Sequence, residues 1–297
     1  MVRDTSEDCL TLNVWVPGGV KEMLPVLFWI HGGAFFQGSG GDDFHDGAKL
    51  ATATRAIVVT VNYRLGALGF MAHAELAREA GVEASPSFGF LDQRAALKWV
   101  QANISAFRGD PKRVTIFGES AGAWSVCSHL ASPNSRGLFA RAVMQSGSCS
   151  NAFYFDPKDA EAQGAALAAA AGCRGANVLS CLRSKSAEAV ISALPLKRGS
   201  LLPPGVWWGL TVDGTELPDR PLARLRSGEF SHVPLIVGWN RDEGVLHTVS
   251  FAKVEPGERD GFVRDVFGEA AIRKVSERYA KQSPKEALTN IVTDGVF

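Results

Sequence analysis

The chain is 297 residues long and 46% hydrophobic, with 31 Lys and Arg balanced by 31 Asp and Glu; this describes a folded protein with room for one large α/β core or two ordinary ones and excludes default disorder. No basic run and no basic stripe interleaved with aromatics is present, so nucleic acid is not an expected partner and a small molecule is. The longest apolar stretches, residues 26–30 and 165–171, fall far short of the roughly 18 residues that a membrane span needs.

The first eight residues are acidic and contain no apolar core, which reads as neither a signal peptide nor a transit segment. Residues 11–16 alternate apolar and polar side chains and run into Pro17-Gly18-Gly19, the pattern of a half-buried strand and a turn. Val26-Leu27-Phe28-Trp29-Ile30 is expected as a buried strand delivering the glycine-rich string His31-Gly32-Gly33-Ala34-Phe35. Residues 57–61, 114–117, 142–145 and 235–238 are further short apolar runs ending in Asn, Gly or Ser, and predict buried parallel strands. Helical spacing of apolar residues marks 91–104, 121–130 and 159–171, and an amphipathic helix is expected over 262–279. Strand and helix alternate without a repeat, a long linker or a composition shift. The prediction is one α/β domain over 1–297, with reactive residues at the carboxyl ends of its strands.

The chemistry enters at Gly118-Glu119-Ser120-Ala121-Gly122, directly after the run Val114-Thr115-Ile116-Phe117. A strand followed by G-x-S-x-G and a helix is a nucleophile elbow: the serine is lifted onto a sharp turn with no room for side chains two positions to either side. Acyl transfer at such a serine passes through a tetrahedral oxyanion, which needs two or three backbone N–H groups aimed at one point. Ala121, the residue after the nucleophile, supplies one, and Gly33 and Ala34 on the loop after the earlier strand are the candidates for the others. Ser120 is therefore the expected nucleophile, in chemistry that requires neither metal nor cofactor.

Cysteines stand at 9, 127, 149, 173 and 181. They show no CxxC or metal-ligand spacing, and an odd count leaves at least one unpaired within the chain. Spacing alone leaves Cys173 and Cys181 equally open to a short disulfide loop or to two buried thiols.

Taken together, the motifs resemble the type-B carboxylesterase family, the cholinesterase-like branch of the α/β-hydrolases. The resemblance runs through Glu7-Asp8-Cys9-Leu10, His31-Gly32-Gly33-Ala34-Phe35, Val61-Asn62-Tyr63-Arg64, Leu91-Asp92-Gln93-Arg94, Gly118 to Gly122, Gln145-Ser146-Gly147-Ser148, Val212-Asp213-Gly214 and Gly238-Trp239-Asn240-Arg241-Asp242-Glu243-Gly244. It implies an α/β-hydrolase fold, a mostly parallel central sheet flanked by helices, and a carboxylic ester as substrate. It also implies Glu243 as the acidic partner of Ser120, with Ser146, Glu119 and His31 supporting the site, and a disulfide between Cys173 and Cys181. Family members start earlier, and Cys9 resembles a cysteine whose partner lies upstream, so the fold is expected to be incomplete at both termini and the parent protein to be exported.

The resemblance also exposes a departure. The family's catalytic histidine follows the acid in a later segment, and none of His31, His45, His73, His129, His232 or His247 matches that position. His247 follows Glu243 by only four residues, which would require acid and base on one short segment. The expectation is a Ser-Glu-His esterase whose histidine is not in this chain, so that the chain alone is nearly inactive. The other reading is a non-catalytic recognition or adhesion protein on the same fold; such relatives replace the elbow serine, which is present here. Trp207 and Trp208 precede Val212-Asp213-Gly214, where the family brings loops toward the acyl pocket, and they are candidates for trimming it.

Overall fold

Two apolar runs set the frame. The computed structural model describes residues 6–194, 208–249, 251 and 253–296. Its strands are β1 (Leu12–Trp15), β2 (Leu24–Ile30), β3 (Ile57–Val61), β4 (Gly109–Glu119), β5 (Arg141–Gln145), β6 (Tyr154–Phe155), β7 (Leu210–Thr211) and β8 (Leu235–Gly238). Every residue of β3 is buried, and β2 buries Leu24, Val26, Phe28 and Ile30 completely or nearly so on one face. Runs rich in β-branched and aromatic side chains fit such a doubly covered position.

Six strands form one sheet in the order β1-β3-β2-β4-β5-β8, and β6 pairs with β7 in a separate two-stranded sheet. Only the β1–β3 pairing in the large sheet is antiparallel; β3–β2, β2–β4, β4–β5 and β5–β8 are parallel. The helices are α1 (Ala48–Thr54), α2 (Gly66–Phe70), α3 (Ala74–Ala80), α4 (Phe88–Asn103), α5 (Ala121–Ala131), α6 (Pro157–Ala170), α7 (Val178–Arg183) and α8 (Ala187–Ala193). They continue as α9 (Pro221–Ser227), α10 (Glu243–Thr248), α11 (Pro256–Phe267), α12 (Ala271–Arg278) and α13 (Pro284–Gly295). None of the described helices is long and apolar enough to cross a membrane.

This order places the site. From β2 the chain crosses to β3 on one side, then returns to β4 on the other, so its direction of build reverses at β2. Reversal in an open parallel sheet leaves a crevice beyond the carboxyl ends of the two strands concerned. Ile30, the last residue of β2, is in register with Gly118 near the end of β4. The loops that follow the two strands therefore emerge side by side.

Two expectations fail for identifiable reasons. Residues 235–238 do form a parallel strand, but it is not buried: β8 is the sheet edge, and Leu235, Ile236 and Val237 are 39%, 67% and 44% exposed. An apolar run reports that a strand suits burial and carries no information on which neighbours cover it. The amphipathic stretch 262–279 is two helices, because Gly268 takes a left-handed φ of 86° and ends α11 at Phe267, its N–H donating to the Arg264 carbonyl. With a ψ of 159° its backbone lies in an extended region open essentially to glycine alone, which breaks the helical ladder.

Two disulfides are present, Cys173–Cys181 and Cys127–Cys149, while Cys9 is a free thiol. Nothing in the 22-residue spacing of Cys127 and Cys149 signals a bond; the fold creates it by bringing the loop after β5 back over α5.

Candidate active site

Ser120 stands between the end of β4 and the first residue of α5, with φ 54° and ψ −122°, a conformation that costs a non-glycine residue on the order of 1–3 kcal/mol. Hydrogen bonds on both sides hold it there. Its N–H donates to the Gln145 carbonyl at 2.9 Å, and its carbonyl accepts from the N–H groups of Ala123 and Trp124 at 2.8 and 3.1 Å. The flanking glycines are required by close approach. A Cβ on Gly122 would lie 2.0 Å from the Ile30 carbonyl oxygen, and one on Gly118 would lie 2.5 Å from the Gly122 carbonyl. Helix α5 is buried along its whole length, so the elbow has no freedom to relax outward.

The loop after β2 passes directly beside the serine. A Cβ on Gly32 would sit 3.2 Å from the Ser120 Cβ and 2.8 Å from Glu119 Oε2. Gly33, Ala34 and Phe35 follow with φ of 104°, 53° and 61°, three left-handed residues in succession that curl the backbone inward. This shape is fixed from behind. The Tyr63 hydroxyl donates to the His31 carbonyl at 2.7 Å, the His31 ring stacks on Tyr63 at 4.3 Å, and the Gly66 N–H donates to the Phe35 carbonyl at 2.7 Å. His31 Nδ1 lies 2.8 Å from the Gly32 carbonyl, a contact that requires the proton on Nδ1. Burial pulls the imidazole down to about 4, so His31 is an uncharged structural element of the loop at neutral pH.

Ala121 opens α5, and the N–H of the first residue of a helix has no partner within that helix. That N–H stands at the positive end of an 11-residue helix. Phe35 packs against Phe70 and Phe153, and Trp124 against Phe153, forming an aromatic wall beyond the loop. Trp208 is buried about 4 Å from the position a Cβ would take on Gly66; Trp207 lies outside the described residues.

Glu243 is the first residue of α10 and is buried. Its Oε1 accepts two hydrogen bonds from Asn240, from the backbone N–H at 2.7 Å and from Nδ2 at 3.0 Å. The same Asn240 Nδ2 lies 3.4 Å from Ser146 Oγ, and the Ser146 N–H donates to the Gly238 carbonyl at 2.8 Å. Glu119 lies close enough to Glu243 to feel its charge: burial first, then the Glu243 carboxylate, raises the Glu119 carboxyl above the ordinary range. The structure thus gathers Ser120, Glu119, the Gly32–Gly33–Ala34 loop, Ala121 and the Ser146–Asn240–Glu243 chain at the carboxyl ends of β2, β4, β5 and β8. Cys173 and Cys181 lie elsewhere, the first just after α6 and the second in α7.

Sequence reasoning passed over Asn240 and Tyr63. Both stand inside strings that carried the resemblance, and the signal for Asn240 was its place three residues before a glutamate that starts a helix. The histidines have other employment. His45 Nδ1 lies 2.7 Å from the Ser39 carbonyl, His73 accepts from the Glu75 N–H at the start of α3, His129 is buried against Ser135 Oγ at 2.8 Å, and His232 Nε2 lies 3.0 Å from the Gly228 carbonyl. His247 sits one turn after Glu243 on α10; burial lowers its imidazole and the Glu243 charge opposes that shift.

The model of the carboxylesterase family matches residues 1–294. A para-nitrobenzyl esterase of Bacillus subtilis (strain 168) is 38% identical over 297 residues, covering 98% of this chain and 58% of its own length. An acetylcholinesterase of Electrophorus electricus is 43% identical over 256 residues, covering 82% of this chain and 38% of its own length. A solved PNB esterase superposes with a TM-score of 0.88 at 34% identity over all of this chain and 62% of that one. The chain therefore spans about three-fifths of the bacterial esterase and two-fifths of the cholinesterase. With an α/β-hydrolase fold, an elbow serine beside a glycine loop and a match over nearly its whole length, the chain belongs to the carboxylesterase family.

Proposed function

We propose that the protein is a carboxylic ester hydrolase that works through a covalent acyl-serine. One observation supports this reading above the others: the glycine loop runs so close to the elbow serine that a Cβ added to Gly32 would lie 3.2 Å from the Ser120 Cβ. Ser120 Oγ attacks the ester carbonyl carbon, and the negative charge that develops on the carbonyl oxygen is met by the N–H groups of Gly33, Ala34 and Ala121. The C–O bond to the alcohol then breaks, the alcohol leaves with a proton, and water hydrolyses the acyl-serine. Glu243, fixed by Asn240, orients and stabilises the imidazolium of the base.

In this reading the base is a histidine outside the six of this chain, five of which are held by the partners described above. Loss of the base from a serine triad costs on the order of 10⁶ in turnover, leaving roughly 10³ to 10⁴ over water from the oxyanion hole and binding. The 297 residues alone then hydrolyse esters only slowly. Steady-state hydrolysis of p-nitrophenyl acetate by the purified chain beside Ser120→Ala tests both statements. The expected result is weak hydrolysis in the chain and still less in the variant. Hydrolysis at ordinary enzyme rates that Ser120→Ala leaves untouched overturns the nucleophile; ordinary rates that Ser120→Ala abolishes overturn the missing base and turn attention to His247.

A further inference from the structure

The Cys127–Cys149 disulfide lies outside every motif that pointed to the site, yet it closes on the segment that joins the site's two halves. Residues 145–149 touch the elbow at one end, where the Gln145 carbonyl accepts from the Ser120 N–H. In the middle, Gly147 lies flat on the first turn of α5: a Cβ there would be 2.6 Å from the Ala123 Cβ and 2.9 Å from the Ser120 carbonyl oxygen. Ser146 holds a left-handed φ of 49° and meets the acid turn through Gly238 and Asn240. Beyond it, Ser148 Oγ donates to the Val296 carbonyl at 2.9 Å, and Cys149 is bonded to Cys127 on the same helix that begins at the nucleophile.

A backbone held left-handed at a serine returns to an ordinary conformation unless its surroundings over-determine it. The disulfide supplies that constraint, because it anchors the far end of the 145–149 segment to α5. We infer that Cys127 and Cys149 are positioning residues: their bond holds the Ser146 turn, and through Asn240 the Glu243 carboxylate, in register with Ser120, and its reduction loosens the acid side of the site while the sheet stays folded. This rests on the assignment of Ser120 and Glu243 above.

The bond is open to exchange. Cys127 is fully buried, but Cys149 is only half-buried. A thiolate of a soluble dithiol attacks the Cys149 sulfur, the S–S bond breaks and Cys127 leaves as a thiolate. The reductant's second thiol then displaces Cys149, so two electrons and two protons pass to the protein and the reductant departs as a cyclic disulfide.

The test is amide hydrogen exchange on the full chain, oxidised and reduced. On reduction, protection of the Ser146 and Asn240 amides is expected to fall about tenfold or more, while the amides of β2 and β3 keep theirs. Oxidised glutathione restores the protection. Cys127→Val/Cys149→Ala reproduces the reduced state and ignores the reductant; Cys173→Ala/Cys181→Ala leaves the Ser146 and Asn240 amides protected. Unchanged exchange at Ser146 and Asn240 after loss of the bond overturns the inference, as does an equal loss of protection across β2 and β3, which would make the bond a general staple. If Ser120→Ala hydrolyses p-nitrophenyl acetate as well as the unaltered chain, the nucleophile assignment fails instead, and the exchange data still decide whether the bond holds the turn.

Discussion

Gly122 and Ile30 are in direct backbone contact: a Cβ on the glycine would lie 2.0 Å from the carbonyl oxygen at the end of β2. The clash is with backbone between two buried elements, so neither side has a soft direction in which to give. Gly122→Ala should cost about 3 kcal/mol or more in urea unfolding, the upper range of overpacking. Gly261→Ala is the contrast. It lies inside α11 with nothing within 4 Å of its added Cβ and no left-handed backbone, and it should gain about 0.5–1 kcal/mol. Equal effects at the two positions would refute the packing account of the elbow.

His129 makes stability depend on acidity in a definite direction. Burial, then the Arg94 charge, lowers its imidazole from 6.5 to about 3. Above pH 6.5 neither folded nor unfolded His129 carries the proton and the residue has no effect. Between 6.5 and about 3 only the unfolded chain binds it, so stability falls with pH by at most about 1.4 kcal/mol per unit. His31 adds the same sign down to about 4. Wild type should therefore lose about 2–3 kcal/mol more than His129→Asn between pH 7 and 4.5, read from urea midpoints at each pH. Parallel curves would mean that His129 is not buried uncharged.

Arg64 and Asp92 form a fork that a lysine does not reproduce. Arg64 Nε and a terminal nitrogen donate to the two Asp92 oxygens at 2.8 and 2.7 Å, and the Arg64 backbone N–H adds a third bond at 3.0 Å. The carboxylate is nearly buried while the guanidinium is 38% exposed. Arg64→Ala should cost about 2–3 kcal/mol, less than a fully buried pair, and Arg64→Lys should recover less than half of it. Full rescue by lysine would show that charge alone matters here.

The exposed edge predicts behaviour in solution. Ile236 and Trp239 on and after β8, with Val245 and Leu246 on α10 and Val249 at its end, are each more than half exposed. An apolar edge strand with unpaired backbone groups is a template for association. The 297-residue chain should self-associate with rising concentration in sedimentation velocity, and Ile236→Lys with Leu246→Lys should suppress it. A wild-type monomer at high concentration would refute this.

How far the sequence carries depends on what each residue's fate depends on. β3 was readable to the residue, because five consecutive β-branched or apolar side chains permit little else. The elbow and its loop were readable because backbone approaches such as Gly122 to Ile30 admit only glycine. β8 misled because exposure at an edge is decided by absent neighbours rather than by its own side chains. The break at Gly268 was hidden by the amphipathic pattern that continues on both sides. Cys127 with Cys149, and Asn240 as the ligand of Glu243, depend on where β5 and β8 end relative to α5, a relation that exists only once the sheet has formed.

The strained backbone at Ser120 bears on inheritance. A φ of 54° with a ψ of −122° suits glycine and no other residue well, so Ser120→Gly should be more stable than wild type by about 1 kcal/mol. Drift left to stability alone would erase the hydroxyl first. On the proposed mechanism, a serine kept at so strained a position is held there by selection for what its oxygen does.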